Sequence, residues 1–206
     1  MLIVRLLRCG PDAVLVELRS PGEVAAVRAA VLSAELPDVA EVVPAARTVL
    51  VAVRPGSGAL GAVRSLLDGL TVDAAEVPAG RTVILPVRYD GPDLELVAST
   101  AGVSVDDVVA LHSGAIYTVA FCGFSAGFGY LTGLAAVLQQ PRLPSPRPSV
   151  AAGSVGIAGE FTGAYPRSSP GGWRLLGRTD EVLFDPRRTP PTLLAPGDRV
   201  RFEVLP

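Results

Sequence analysis

Three stretches of the sequence combine glycine, aromatic rings and placed polar groups. The first, HSGAIYTVAFCGFSAGFGYLTGL, runs from residue 112 to 134 and contains the only histidine, His112. Gly123, Gly127 and Gly129 permit unusual backbone angles and the close approach of a ligand, and Phe124, Phe128 and Tyr130 supply an apolar wall. Composition leaves a ligand loop and a tight barrel turn equally open. The second stretch, residues 141–166, puts Arg142 and Arg147 on a stiff proline-rich segment, followed by GSVGIAG with Ser154 and Gly156 inside it. Gly153, Gly156 and Gly159 are spaced like a phosphate loop, but the strand-to-helix context is missing. Glycines at β-turns and bulges are the plainer reading. The third stretch, SPGGWRLLGRT, carries Ser169, Gly171, Gly172 and Trp173 near a tight turn and Arg178 at the end of a strand.

The chemistry these groups offer is anion binding. Arginine forks and backbone N–H groups hold carboxylate or phosphate, and a histidine relays a proton or donates a hydrogen bond. Each has a plainer alternative. His112 sits where a helix would end and can cap its carbonyls. Tyr165 and Trp173 read as barrel packing or interface anchors. The arginines can pair with Glu160, Asp180 or Asp185.

Composition excludes several classes. All 18 basic residues are arginine, so there is no phosphate-binding lysine, Schiff base or lysine nucleophile. Two distant cysteines, Cys9 and Cys122, and one histidine argue against a zinc site and fit a reducing compartment; Cys122 reads as a small buried residue in a strand. A net charge of −2 gives no general attraction for nucleic acid or anionic membranes. The apolar start MLIVRLLRCG is interrupted by Arg5 and Arg8 and is not read as a signal peptide. No apolar run reaches the roughly 18 residues needed to span a bilayer. A soluble, cytoplasmic chain is expected.

The chain reads as an α+β protein of two domains, an α+β domain at 1–78 and a β-rich domain at 79–206, with a boundary in the segment around Asp73 to Gly80. Strands are expected at Leu2–Leu7 and Ala13–Leu18 around the Gly10-Pro11-Asp12 turn, and at Val39–Val43 and Thr48–Val53. Ser20, Pro21 and Glu23 form a helix-start signature, and a second helix covers Leu60–Leu70. That pattern resembles a ferredoxin-like sandwich. In the second domain, Thr82–Val87 is a strand, and Pro92–Ala101 and Val105–His112 are helices broken at Gly102, with Ser104 as N-cap. The helix pair is spaced like a DNA-binding helix-turn-helix, but its second helix opens with Asp106 and Asp107, which would face phosphates. No nucleic-acid role is expected. Beyond Ile116, runs at Ile116–Cys122, Ser154–Ala158, Trp173–Thr179, Val182–Phe184 and Arg199–Val204 read as a β-barrel or sandwich with long loops.

The motifs of the second domain closely resemble the B subunit of the bacterial ATP-dependent 5-oxoprolinase (PxpB), also called allophanate hydrolase subunit 1 or KipI-like. The resemblance rests on His112-Ser113, Tyr117, Val119, Gly123-Phe124, Gly127-Phe128, Tyr130-Leu131, and the run from Arg142 through GSVGIAG and SPGGW to Thr179. It is specific over residues 82–206 and looser over 1–75. Ala126 and Ala151 stand where the family usually has proline.

The resemblance implies a cyclophilin-like β-barrel behind the small N-terminal domain. It implies ATP, with Mg2+, in an assembled complex that opens 5-oxo-L-proline to L-glutamate. The implied partners are the C component (KipA-like, allophanate hydrolase subunit 2) and the A component, which is a lactam hydrolase. On this resemblance His112 and Arg178 are the catalytic candidates. Phe124, Gly127, Phe128, Arg142, Arg147, Ser154, Gly156, Ser169, Gly171 and Gly172 are the candidates for binding substrate or nucleotide. Two alternatives come with it: a KipI-like inhibitor of a sensor histidine kinase, and a carboxyltransferase component of the allophanate hydrolase or urea carboxylase type.

Overall fold

Alternating valines decide which face of the first sheet is buried. A computed structural model of the chain describes residues 5–70 and 80–206. Residues 2–4 of the expected first strand, and the boundary segment except Gly80, lie outside the described residues. The chain divides into two units, Met1–Pro78 and Ala79–Pro206.

In the first unit, β1 (Arg5–Arg8), β2 (Ala13–Glu17), β3 (Val39–Pro44) and β4 (Thr48–Val53) form an antiparallel sheet in the order β1-β2-β4-β3. With a side-chain period of two, Val14, Val16, Val49, Val51 and Val53 share one face. They meet Val24, Val27 and Val31 of α1 (Pro21–Ser33) and Val63 and Leu67 of α2 (Leu60–Gly69). Ser20 caps α1, its hydroxyl accepting from the Glu23 N–H. The Glu23 carboxylate accepts from the Arg19 N–H at 2.7 Å instead of the cap residue's own N–H, which varies the expected capping box. The element order is β-β-α-β-β-α, whereas a ferredoxin-like fold runs β-α-β-β-α-β. The strand beside β2 comes from an N-terminal hairpin that turns through Gly10, at φ 75°.

The second unit is built on β5 (Thr82–Val87), β6 (Tyr117–Cys122), β7 (Gly129–Thr132), β9 (Ser154–Ala158), β10 (Phe161–Ala164), β12 (Arg174–Arg178) and β13 (Arg199–Val204). Their order is β12-β9-β10-β7-β6-β13-β5, and only β5 and β13 pair parallel. An antiparallel bridge from Arg88 to Arg178 joins the two ends, so the sheet curls into a nearly closed barrel. β8 (Arg147–Val150) and β11 (Ser169–Gly171) make a separate two-stranded ribbon. Val182–Phe184, expected as a strand, is a loop with one bridge from Phe184 to Thr192.

Two helices flank the barrel. α3 (Leu94–Ala101) ends at Gly102 in the left-handed conformation. α4 (Val105–Ser113) begins at Ser104 with a complete capping box, in which the Asp107 N–H donates to Ser104 Oγ and Asp107 Oδ2 accepts from the Ser104 N–H. Asp107 is therefore the N3 partner of the Ser104 cap. Its carboxyl is held below the usual range by the Ser104 hydrogen bonds, side chain first and backbone second. The barrel core is apolar, with Leu85, Val97, Val108, Tyr117, Leu131, Ile157, Leu176 and Phe202 all buried.

Candidate functional site

Against one side of the barrel, three segments converge on a pocket of about 220 Å³. Phe124 and Phe128 come from the β6–β7 connection and Tyr130 from β7. Tyr165 follows β10, and Pro170 to Trp173 come from β11 and the turn into β12. Arg142 and Pro146 come from the proline-rich segment. A backbone hydrogen bond from the Leu143 N–H to the Gly172 carbonyl, 2.7 Å, ties that segment to the glycine turn. The rings meet edge-to-face: Phe128 lies 5.2 Å from both Tyr165 and Trp173, and Tyr130 lies 5.6 Å from Trp173. Such pairs use the ring quadrupole and hold a fixed wall.

Glycine makes the wall possible at two places. At Gly171 a Cβ would run into the Tyr165 hydroxyl. Gly127, at φ 84°, has the Leu183 carbonyl where its Cβ would be, 2.9 Å away. The Phe128 N–H donates to the Ser125 carbonyl, closing a turn with Ala126 second and Gly127 third, the type II pattern. Just before it, the Ser125 N–H donates to the Gly123 carbonyl at 2.8 Å, a three-residue turn around Phe124. Phe124 has φ 68° and is 59% exposed. A positive φ at an aromatic residue, in so tight a turn, is strained backbone. The strain presents an apolar ring at the pocket mouth, where it contacts Phe128 and Tyr165.

The phenols stay protonated. Burial raises the Tyr130 pKa, and Arg142 pulls it the other way. Burial likewise raises that of Tyr165, opposed by a hydrogen bond to the Trp173 backbone and then by Arg142. Arg142 is exposed, and among the described residues its guanidinium has neither a hydrogen-bond nor an ion-pair partner.

Other arginines are engaged. Arg147 Nη2 donates to Asp93 Oδ1 at 2.7 Å. Arg174 Nη1 donates to Gln140 Oε1 and Thr100 Oγ1, and its Nε to the Pro141 carbonyl. Arg178 pairs with Asp90 at 3.0 Å at the barrel seam, both side chains well exposed. Arg147 and Arg178 are absent from the pocket lining.

His112 is also elsewhere. It is fully buried where α4 packs against the barrel, with Tyr89 at 2.7 Å from Nδ1, Thr162 at 2.8 Å from Nε2 and the Phe202 ring stacked at 4.5 Å. Thr162 spends its own hydroxyl proton on the Gly156 carbonyl, so Nε2–H donates to Thr162 and Nδ1 accepts from Tyr89. Burial alone pushes the imidazole pKa down to about 3. An enclosed, neutral ring cannot relay protons to a ligand in this pocket. Its place is structural.

Of the expected binding residues, Phe124, Phe128, Arg142, Gly171 and Gly172 line the pocket, and Gly127 shapes the loop beneath it. Ser154 and Gly156 belong to β9, in the barrel wall. The GxxGxxG spacing is a hairpin: β9 turns through Gly159, at φ 58°, and Glu160 into β10, with Ala158 opposite Phe161. Ser169 lies in β11 with its hydroxyl buried and, among the described residues, without a hydrogen-bond partner. Tyr165 and Trp173, read from sequence as packing, are lining residues, as are Tyr130, Pro146 and Pro170. The SPGGW turn was their sequence signal. Among the described residues no group of three or more His, Cys, Asp or Glu could hold a metal, and no helix is long and apolar enough to cross a membrane.

The family model described as carboxyltransferase domain, subdomain C and D, matches residues 4–194. The 5-oxoprolinase B subunit of Escherichia coli is 44% identical over 201 residues, covering 94% of this chain and 92% of that protein. The chain belongs to the 5-oxoprolinase B-subunit family. The solved structure of the protein designated TTHA0988 superposes with a TM-score of 0.81 at 39% identity, over 95% of this chain and 40% of that one. This member of the 5-oxoprolinase B-subunit family therefore spans well under half of that longer protein. The urea carboxylase of Kluyveromyces lactis superposes with a TM-score of 0.75 at 18% identity, over 99% of this chain and 23% of that one. The likeness to urea carboxylase is one of fold, a mixed α/β chain with a nearly closed barrel.

Proposed function

We propose that the chain is the B component of an ATP-dependent 5-oxoprolinase complex, which adds water across the lactam of 5-oxo-L-proline to give L-glutamate. It contributes a binding half-site and is inactive alone. One observation carries this beyond the family relationship. The pocket holds one unpartnered guanidinium and two neutral phenols, but its lining contains no carboxylate, imidazole or thiol. Opening an unstrained amide needs an activated nucleophile and a proton donor for the leaving nitrogen. This pocket can hold an acid, while the reacting groups come from companion proteins.

The residues present do not fit a nucleoside triphosphate. There is no lysine, the glycine run is closed into a hairpin, and Arg147 is taken by Asp93. ATP and its Mg2+ are assigned to the companions, the KipA-like C component and the lactam hydrolase that is the A component. The same reading takes the barrel as cyclophilin-like, the first unit as a ferredoxin-like sandwich with reordered strands, and the chain as cytoplasmic.

The test is ATP hydrolysis and glutamate release by the chain alone and mixed with both companions, with and without 5-oxo-L-proline. Turnover only in the full mixture is expected. An assembled, ATP-hydrolysing complex that releases no glutamate overturns the substrate. The family model's description favours one second reading, a carboxyltransferase half-site; carboxyl transfer to a urea-type amide by a complex containing a biotin carboxylase would support it.

A further inference from the structure

We propose that the aromatic pocket reads a small, flat, singly charged cyclic acid, with Arg142 taking the carboxylate and the ring walls taking the ring. Given the proposed function, on which the choice of ring rests, that acid is the substrate lactam and not the nucleotide. Four properties of the site converge on this class. The volume of about 220 Å³ falls below the roughly 300–1,000 Å³ of pockets that take drug-sized ligands, and a nucleotide is of that larger size. Phe124, Phe128, Tyr130, Tyr165 and Trp173 line it with five aromatic rings, which suits a planar, uncharged ring body.

The charge at the site is single. Arg142 is the one cationic side chain in the lining. Arg147 in β8 is held by Asp93, and Arg174 in β12 by Gln140, Thr100 and Pro141. A guanidinium fork matches one carboxylate through two parallel hydrogen bonds, whereas a triphosphate needs several cations. The field of Arg142 already reaches into the pocket, opposing the effect of burial on both Tyr130 and Tyr165. Of the two, the partly exposed Tyr130 phenol can donate to a lactam carbonyl or accept from its N–H. Gly172 leaves the backbone open beside Arg142, its missing Cβ 3.8 Å from the arginine Cβ.

Trp173 is the only tryptophan of the chain and forms part of the pocket, so its fluorescence reports this site alone. Titrating the isolated full chain with 5-oxo-L-proline should change the emission saturably. Pyrrolidinone, the same ring without the carboxylate, should bind on the order of ten-fold more weakly or worse, and Arg142→Gln should weaken the acid by a similar factor. Mg-ATP should leave the emission unchanged. No saturable response to 5-oxo-L-proline, an equal response to pyrrolidinone, an unaltered affinity in Arg142→Gln, or a response to Mg-ATP instead of the acid each overturns the proposal. In the assembled complex, Arg142→Gln should raise KM for 5-oxo-L-proline about ten-fold with a smaller change in kcat. A complex that turns over the lactam with normal KM in Arg142→Gln sinks the pocket assignment and leaves the proposed function standing. An inactive complex, with Arg142-dependent binding of a flat cyclic acid at Trp173, does the reverse.

Discussion

Arg147 and Asp93 form a part-buried ion pair, Nη2 to Oδ1 at 2.7 Å, with side-chain exposures of 27% and 7%. The second carboxylate oxygen accepts from the Leu175 N–H at 2.7 Å, and Arg147 Nη1 reaches the Trp173 carbonyl at 3.3 Å. One carboxylate thus ties the start of α3 to β8 and β12 immediately behind the pocket wall. The guanidinium is a strut and is not free for phosphate.

Removing Asp93 takes the counter-ion from a part-buried guanidinium and the acceptor from the buried Leu175 N–H. Asp93→Ala is therefore expected to cost about 3 kcal/mol of unfolding free energy, read from urea denaturation. The Asp93→Ala, Arg147→Ala double variant should cost less than the sum of the singles. Arg147→Ala should lower stability while leaving KM for 5-oxo-L-proline within about two-fold. A large rise in KM at unchanged stability would return Arg147 to the binding site.

His112 makes the barrel sensitive to acid in a defined direction. Its folded pKa is pushed down to about 3 by burial, while an unfolded histidine takes its proton near 6.5. Between those values the unfolded chain binds the extra proton. The stability that the neutral ring supports is complete above about pH 6.5 and falls as pH drops toward 3, by about 1.4 kcal/mol per unit. His112→Phe keeps a ring against Phe202 and cannot titrate. The wild type's advantage over it, from denaturant midpoints at pH 7 and pH 5, should shrink at pH 5. An advantage that is constant or grows would place an accessible, protonated imidazole at this position.

Local signals carried the sequence reading as far as local chemistry reaches. Ser20-Pro21 with Glu23, Ser104 with Asp107, and Gly102 act within their own turns, and the helices they bound are present. The short strands GYLT, FTGA and SPG carry glycines and are too short for a period-two signal in sequence; each pairs with a neighbouring strand. The same limit governs the site. The motifs pointed to Phe124, Phe128, Arg142, Gly171 and Gly172. They could not separate Arg142 from Arg147, because the partner that removes Arg147 lies 54 residues away. The fate of His112 is likewise set by Thr162, 50 residues on. Tyr165 and Trp173, 2% and 4% exposed, are packed residues and pocket walls at once, so reading them as packing was only half of their role.

Ala126 occupies the second position of the Ser125–Phe128 turn, with Gly127 third at φ 84°. Proline presets the backbone needed at that position. Ala126→Pro should stabilise the protein by about 0.4–1 kcal/mol, chiefly by restricting the unfolded chain. At about 2–4 °C per kcal/mol for a chain of this size, the thermal midpoint should rise by one to a few degrees, with the affinity for 5-oxo-L-proline kept. A fall in the midpoint would mean that the turn is not of this type.

Phe124 tests whether the loop's strain serves the pocket. Its φ of 68° costs about 1–2 kcal/mol for a residue with a Cβ, and its half-exposed ring offsets little of that by burial. Glycine adopts the same angle freely, against an entropic cost in the unfolded chain of roughly 0.5–1 kcal/mol. Phe124→Gly should therefore leave stability unchanged or slightly higher in urea denaturation. It removes the ring that closes over Phe128 and Tyr165, so the Trp173-reported affinity for 5-oxo-L-proline should fall several-fold. Lower stability with unchanged affinity would make Phe124 a packing residue and leave its strained turn without a role in binding.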